Sequence, residues 1–169
     1  PGAELARRFL RAYGPARHKL LADWAGLATS HAKALWERAG ELRSVDLDGT
    51  RAWVLAEDEK AIVRETAIHG VRLLANRDPL NAARDRDVLV KHPAVRKRIW
   101  TAIGGPGTVL VDGEVAGLWR PAKKGRKLVV TVEPLGKINA AAKDELAAES
   151  ERIAPFRGAE TAELQIGAL

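Results

Sequence analysis

Two turn signals in the second half of the chain constrain its fold more than any other feature. Asp112-Gly113 and Gly125 each lie between short runs of β-branched and apolar residues. An Asp-Gly pair in that setting is typical of a two-residue hairpin turn. We therefore predict two β-hairpins in series, built from strands at residues 108–111, 114–119 and 127–133.

The second of these turns carries a dense group of positive charges, just after the pair Trp119-Arg120. Its cations are Lys123, Lys124, Arg126 and Lys127. The net charge of +6 is locally concentrated, since residues 117–137 hold six basic residues against one acidic residue. Grouped cations of this kind can displace counterions from a nucleic acid and give salt-sensitive, sequence-independent binding. The alternative is a solvated loop, because lysines near sheet edges also discourage aggregation.

A second basic segment precedes the hairpins. Residues 77–102 hold seven basic residues against three acidic ones, and a helix is predicted over residues 93–101. Arg96, Lys97 and Arg98 lie on that helix, and they are further candidates for phosphate contacts or for an ordinary solvated face. The charge then reverses, since residues 138–169 hold three basic and six acidic residues.

The first quarter of the chain predicts three short helices and a hairpin. The helices are expected at residues 3–12, 16–25 and 29–39, and the hairpin turns at Asp48-Gly49. This order is typical of a winged helix-turn-helix over residues 1–56, in which the third helix recognises DNA and the hairpin is the wing. Many protein-interaction modules share the same order.

The outward face of the third helix is a second candidate DNA surface. Ser30, His31, Lys33 and Arg38 lie on it, and Ala32, Leu35, Trp36 and Ala39 form the opposite, buried face. Such a polar face can enter the major groove, although it can also serve only solubility. Arg51 on the hairpin is a candidate phosphate contact, but Asp46 and Asp48 beside it would repel phosphate.

The remaining chain divides into a linker and a second module. Residues 57–70 predict an acidic linker helix, and residues 71–169 predict a small antiparallel β-barrel-like domain with flanking helices. Its last helix, residues 137–157, is amphipathic, with an apolar face of Ile138, Ala142, Leu146, Ile153 and Phe156. The fold class is therefore α+β, with a C-terminal amphipathic helix.

Several classes of function lack their sequence signals. The chain has no cysteine, so disulfides and thiolate metal sites are excluded, and its four histidines form no metal-binding pair. No phosphate-binding or dinucleotide-binding fingerprint occurs, and no apolar run approaches the length of a membrane span. We expect no metal, no small-molecule cofactor and no membrane partner, and a cytoplasmic location.

The tryptophans and two carboxylates are further candidates for site residues. Trp24, Trp36, Trp53 and Trp100 lie in apolar patterns and are expected in the core, whereas Trp119 is the least certain and could stack on a base. Asp78 and Asp85 are carboxylates in a loop near basic residues and are the only candidates for acid–base catalysis, but an Asp before Pro is more often a turn former, and Asp85 lies between Arg84 and Arg86. No catalytic residue is therefore assigned.

Several motifs resemble, in the same order, the winged-helix DNA-binding family of the AlkZ type. They are LADWAGL (21–27), VDLDGTRAWVL (45–55), VRLL (71–74), DP…RDR (78–86), VLVDGEVAGLWR (109–120) and GRKLVVTVEP (125–134). The hairpin LVDG…GLWR is the most specific of them. The resemblance implies tandem winged helices followed by a small C-terminal β-barrel, in bacterial DNA glycosylases that unhook interstrand crosslinks and remove alkylated bases.

The same resemblance limits what this chain can do alone. The family's catalytic Gln-x-Gln or Gln-x-Asp motif lies nearer the N-terminus, whereas Gln165 is the only glutamine here. We therefore expect the chain, which begins at Pro1, to be the C-terminal part of a longer protein and to contribute binding to double-stranded DNA. A transcription regulator with a sensing or dimerisation domain and a protein-interaction domain remain alternatives.

Overall fold

The computed structural model describes residues 1–47, 49–64, 67–81, 86–101 and 103–169. By their contacts, the described residues divide into two compact units. The first contains the residues up to 64, and the second contains those from 67 onward.

The first unit contains three helices packed around one apolar cluster. They are α1 (Gly2–Tyr13), α2 (His18–Ala25) and α3 (Thr29–Glu37). The expected buried face of α3 is confirmed for Ala32 and Trp36, and Leu35 packs partly buried against the cluster. Because a helix repeats every 3.6 residues, this spacing turns the polar residues of α3 outward.

A two-stranded hairpin follows the helices in the same unit. Its strands are β1 (Leu42–Leu47) and β2 (Thr50–Leu55), paired antiparallel with Leu47 opposite Thr50. Gly49 has a φ of +82°, and its N–H donates to Asp46 Oδ1 at 2.8 Å. A short helix, α4 (Glu59–Val63), ends the described part of this unit, and Asp48 of the predicted turn lies outside the described residues.

The second unit is built on a five-stranded sheet with strand order β3-β4-β5-β6-β7. Its elements, in chain order, are β3 (Val71–Leu74), α5 (Arg86–Leu89), α6 (Pro93–Ile99), β4 (Gly107–Val111), β5 (Glu114–Lys124), β6 (Lys127–Pro134), α7 (Ala140–Ile153) and β7 (Thr161–Ile166). The two predicted hairpins are confirmed. Asp112 and Gly113, with φ of +51° and +86°, form the first turn, as a type I′ hairpin requires.

Helices cover both faces of this sheet. The larger cluster joins inward-facing sheet residues such as Val109, Trp119 and Val130 to Leu146 of α7. A smaller cluster on the other face packs Leu118 against α5 and α6. Because side chains alternate along a strand, Leu118 and Trp119 belong to opposite faces, and both are buried.

The predicted antiparallel β-barrel is wrong. Among the described residues the sheet is open, with β3 and β7 as its edge strands, and β7 pairs parallel with β6. The strand β7 was not predicted, and the last helix, predicted over residues 137–157, ends at Ile153. The order β6-α7-β7 is a crossover connection, which is how parallel neighbours are joined.

Glutamates of α7 bind the open edges of the sheet. They accept hydrogen bonds from backbone N–H groups on both edge strands, which would otherwise remain unpaired. The bonds are Val71 N to Glu145 Oε2 (3.0 Å), Leu73 N to Glu149 Oε1 (3.4 Å) and Ala162 N to Glu151 Oε2 (3.0 Å). The helix α7 thus provides hydrogen-bond acceptors for the two edge strands, which in a closed barrel would pair with each other.

Two predictions about apolar residues, the burial of Phe156 and of Trp24, are also wrong, whereas Trp119 was left undecided. Phe156, expected on the buried face of the last helix, is 88% exposed, because it lies in a short 3₁₀ turn after α7. Trp119, the least certain core residue, is only 2% exposed, whereas Trp24 is 44% exposed and packs its ring against Phe9 and Tyr13. Within the described ranges, no helix has both the length and the apolar character needed to cross a bilayer.

Candidate nucleic-acid interface

The hairpin β5–β6 projects the basic turn from the sheet. Its two turn residues are Gly125 and Arg126, and Gly125 has a φ of +60°, as the first position of a type II′ turn requires. Lys124 pairs with Lys127 across the hairpin. Like charges directly opposite each other repel, so the turn and the strand pairing, not an attraction between the two lysines, keep Lys124 and Lys127 in these positions.

Two of the four turn cations are neutralised by acidic residues near the C-terminus. Arg126 forms an ion pair with Glu160, and Lys127 Nζ lies 3.1 Å from Glu163 Oε2. A hydrogen bond from Gln165, followed by the one from Lys127, lowers the pKa of Glu163. The acidic tail is therefore not separate from the basic turn, and these two cations are less available to phosphate than the sequence indicated.

The other two turn cations are exposed and form no ion pair, although Lys124 is close enough to Glu163 to help lower the pKa of that carboxyl. Lys123 and Lys124 form no ion pair with any residue that the structure describes, and Arg120, four residues earlier on β5, is likewise exposed and unpaired there. The register puts Lys123 opposite Leu128 and Lys124 opposite Lys127, so the two lysines lie on opposite faces of the hairpin. A phosphate backbone passing the hairpin tip can therefore meet a cation on either face.

The three basic residues of α6 have different environments. Arg96 Nη1 donates to the backbone oxygens of Val90 and Lys91, at 2.7 and 2.8 Å, so it holds the segment before the helix. Arg98 makes two parallel bonds to Glu133, at 2.6 and 2.7 Å. Lys97 is exposed and forms no ion pair within the described chain.

The pair Arg98–Glu133 perturbs both ionisation equilibria. Hydrogen bonds from Arg98 and from the N–H of Leu169 lower the pKa of Glu133 to about 2. The bond to Glu133 in turn raises the pKa of the Arg98 guanidinium. This geometry is a bidentate ion pair between α6 and the sheet, and it gives Arg98 a structural role in addition to any contact with phosphate.

The candidate residues of the first unit all lie on its surface. Ser30, His31, Lys33 and Arg38 are exposed, and Lys33 Nζ lies 3.8 Å from Glu37 Oε1. Such an exposed i,i+4 pair contributes little and leaves the lysine accessible. Arg51 is exposed on β2, and the register places it opposite Asp46.

Of the two carboxylates that are candidates for catalysis, only Asp78 lies among the described residues, and it forms a turn. Asp78 Oδ1 accepts the N–H of Leu80 at 2.9 Å, which is the turn-forming role of an Asp before Pro. Asp85 lies outside the described residues. In the described chain, no three His, Asp or Glu side chains are grouped so as to hold a metal ion.

Sequence reasoning missed one cationic residue near the hairpin. Arg157 was assigned to the end of the last helix, but its guanidinium lies over the ring of Trp119, 5.9 Å from the ring centroid. No local pattern marks this contact, because the two residues are 38 positions apart and meet only through the path of the chain after α7.

These features describe a mixed α+β chain with a cation-bearing hairpin. A family model described as DNA glycosylase AlkZ-like matches residues 2–156. A relative from Streptomyces sahachiroi, an interstrand DNA cross-link repair glycosylase, is 32% identical over 134 residues, which are 76% of this chain and 36% of that protein. The chain belongs to the AlkZ-like DNA glycosylase family.

A solved structure supports the fold. The DNA glycosylase AlkZ of Streptomyces sahachiroi matches 98% of this chain with a TM-score of 0.75 and 24% sequence identity. The match covers 45% of that structure's chain, so this chain spans less than half the length of the relatives it resembles.

Proposed function

We propose that this chain binds double-stranded DNA, mainly through backbone phosphates, within a DNA-repair glycosylase of the AlkZ type. Family membership supports the repair role, and the relative's name indicates cross-linked DNA as the class of substrate. We assign no catalytic residue, because this chain holds no Gln-x-Gln or Gln-x-Asp motif. Binding and positioning of the duplex are the contributions proposed for the residues present.

The observation that carries the proposal is the pair of exposed lysines at the tip of the β5–β6 hairpin that form no ion pair with a described residue. Lys123 and Lys124, together with Arg120 and Lys97, are exposed cations without an ion pair to a described residue. Cations of this kind bind phosphate at the lowest cost, because no protein carboxylate has to be released. Three other cations can contact phosphate only if they leave or share the carboxylate with which each is paired; they are Arg126, Lys127 and Arg98. Arg96 would have to give up its hydrogen bonds to backbone carbonyl groups.

For the first unit we propose a winged helix-turn-helix over residues 1–56, joined by a linker at residues 57–70 to a module over residues 71–169. Three helices and a hairpin in this order support the proposal. In this arrangement Ser30, His31, Lys33 and Arg38 of α3 face DNA, and Arg51 lies on the wing. Their contribution is secondary, because Glu37 and Asp46 place negative charge beside Lys33 and Arg51.

The test is duplex binding measured as a function of salt. The double variant Lys123→Ala/Lys124→Ala is compared with wild type on a random-sequence duplex, by fluorescence anisotropy between 50 and 200 mM salt (roughly the range over which such slopes are informative). Removing two phosphate contacts should lower the magnitude of the slope of log K against log salt by about 1.8. A charge-matched control is Lys60→Ala/Lys143→Ala, two exposed lysines outside the proposed surface.

The outcomes separate the alternatives. A lowered slope for the hairpin variant and an unchanged slope for the control support phosphate contacts by the hairpin. Equal slopes for wild type and hairpin variant contradict the proposal. A strong preference for one duplex sequence would instead indicate a regulator, and no binding to any duplex would favour a protein-interaction domain.

A further inference from the structure

An exposed aromatic ring lies in the short segment between α7 and β7. The ring belongs to Phe156, one of two phenylalanines in the chain, and it is 88% exposed, whereas Phe9 is 4% exposed. A side chain that remains in water gives up the stabilisation that burial provides. The ring of Phe156 therefore contributes little to the fold and is available to a ligand.

The path of the chain brings Phe156 to the end of the sheet that carries the basic turn. Because β7 is parallel to β6, α7 has to return the chain to the end at which β6 begins. There Thr161 lies opposite Lys127, and the N–H of Glu160 donates to the backbone oxygen of Arg126 at 2.7 Å. Phe156 precedes these residues in the same connection and is thus a neighbour of the hairpin turn.

The segment that carries Phe156 is fixed at both ends. Ala154 before the ring and Ala159 after it are both buried in the larger cluster. Three backbone hydrogen bonds of 3.0 Å close the segment, from Arg157 N to Ala154 O, from Gly158 N to Pro155 O and from Ala159 N to Ala154 O. Because this backbone is already ordered, holding the ring against a ligand costs little further conformational entropy.

Two cations lie beside this segment. The guanidinium carbon of Arg157 is 5.9 Å from the ring centroid of the buried Trp119, within the range of a cation–π contact. A Cβ atom at Gly158 would lie 3.3 Å from Lys123 Nζ. Because side chains alternate along β5, Lys123 is on the same face as Trp119, the face that α7 covers. Neither cation forms an ion pair with a residue that the structure describes.

An apolar ring next to cations matches the chemistry of a duplex. The phosphates of DNA attract the cations, and the stacked bases between the two backbones offer flat surfaces to a ring. Proteins that bind the minor groove insert apolar side chains between neighbouring base pairs, and phenylalanine is among the residues used. An apolar groove on another protein would bind the ring without any need for the cations beside it.

We propose that Phe156 inserts its ring into the base stack of the bound duplex, while Lys123 and Arg157 contact phosphates beside the insertion. The proposal rests on the proposed function for its ligand, and it adds a base contact to a surface of phosphate contacts. Insertion separates two stacked bases, which costs less where a mismatch has already weakened the stacking. Phe156 therefore gives this chain a preference for duplexes that contain a mismatched base pair.

The experiment uses the full 169-residue chain and two duplexes of equal length, one fully paired and one with a central mismatch. Wild type should bind the mismatched duplex more tightly in fluorescence anisotropy. Phe156→Ala should lose this preference and bind the mismatched duplex about tenfold more weakly than wild type does. Its salt slope should not change, because no phosphate contact is lost. Phe156→Leu keeps an apolar side chain for insertion and should retain most of the preference.

A matched control removes an exposed apolar side chain at the other end of β5. Ile68 is 67% exposed, and a Cβ atom at Gly113, in the turn between β4 and β5, would lie 3.5 Å from its Cδ1 atom. Ile68→Ala should bind both duplexes as wild type does. Thermal unfolding of Phe156→Ala and Ile68→Ala should match wild type, which shows that a change in binding does not come from a change in folding.

The two phenylalanines also allow a direct readout of the contact. Protein labelled with 4-fluorophenylalanine has one ¹⁹F signal from Phe9 and one from Phe156, and Phe156→Leu assigns them. Insertion places the ring of Phe156 in the ring currents of the neighbouring bases, so its signal should shift when the mismatched duplex is added. The signal of Phe9 should stay in place, because that ring is buried in the first unit.

Failure of the insertion and failure of the proposed function give different results. If Lys123→Ala/Lys124→Ala lowers the salt slope while Phe156→Ala binds both duplexes as wild type does, the function stands and the insertion is overturned. An unshifted Phe156 signal at saturating duplex also overturns the insertion. If wild type binds neither duplex, the proposed function itself is rejected, and the insertion with it.

Discussion

Replacing Glu133 with Gln should destabilise the fold at neutral pH and have progressively less effect in acid. The Glu133 carboxylate accepts two bonds from Arg98, at 2.6 and 2.7 Å, and one from the N–H of Leu169 at 3.0 Å. These bonds lower its pKa from 4.5 to about 2. Because the carboxyl has a lower pKa in the folded state, its stabilisation is fully present above pH 4.5 and is lost as the pH falls towards 2.

The size of the effect follows from the pKa shift and from solvent exposure. A shift from 4.5 to about 2 corresponds to at most about 3.4 kcal/mol, at 1.36 kcal/mol for each pH unit. The side chains of Arg98 and Glu133 are 44% and 22% exposed, so solvent screens the pair. Exposed ion pairs contribute below about 1 kcal/mol, and the bidentate geometry places this pair at or slightly above that value, so we expect about 1–2 kcal/mol.

The assay is urea unfolding of wild type and Glu133→Gln at pH 7 and pH 3, with an NMR titration of the Glu133 carboxyl in wild type. Glu114→Gln is the control, since Glu114 is an exposed carboxylate of the same sheet without an ion pair to a described residue. The reasoning is refuted if the two variants lose equal stability at pH 7, or if Glu133 titrates near 4.5.

Three further predictions test the core, the sheet edge and the hairpin charge. Trp119→Ala should cost about 3–5 kcal/mol in thermal or urea unfolding, whereas Phe156→Ala should stay within about 0.5 kcal/mol, because only Trp119 is buried. Glu149→Ala should cost about 1–3 kcal/mol, since it leaves the N–H of Leu73 without its acceptor, and that amide should exchange hydrogen faster. Glu163→Gln should leave Lys127 unpaired and steepen the salt dependence of duplex binding, whereas an unchanged slope would mean that Lys127 does not reach phosphate.

The hairpins of the second unit could be predicted from the sequence because their determinants are local. Asp112-Gly113 and Gly125 fix the two turns, and the alternation of apolar residues around them fixes which side chains are buried. The helices of the first unit were predictable for the same reason. Helical spacing alone gave the buried residues Ala32 and Trp36 of α3.

The errors concern features that depend on distant parts of the chain. The strand β7 was missed because its six residues carry no turn signal, and its pairing with β6 depends on the crossover through α7. The barrel was wrong because Glu145 and Glu149 looked like solvated helix residues, although they accept hydrogen bonds from β3. The burial of Trp119 could not be predicted because the residues that pack against it, such as those of α7, are distant in the sequence.

The ion pairs of the candidate site also depend on distant parts of the chain and could not be predicted from the sequence. Counting charges along the sequence predicts a basic hairpin and an acidic tail as two separate surfaces. In the folded unit, Glu160 and Glu163 of that tail neutralise Arg126 and Lys127 of the hairpin. The sequence could therefore locate the positive charge but could not determine how much of it is available to a ligand.

Those ion pairs set the salt dependence that phosphate binding by the hairpin should show. If Arg126 and Lys127 keep their carboxylates on binding, the contacts come from Arg120, Lys123 and Lys124, and a slope contribution of about −2.7 follows at −0.9 per phosphate. If DNA displaces Glu160 and Glu163, all five cations contact phosphate and the contribution rises to about −4.5. Exposed ion pairs are weak, so a nearby phosphate can compete with them. The difference in slope between wild type and a variant that lacks all five cations distinguishes the two cases, and a value near zero would exclude both.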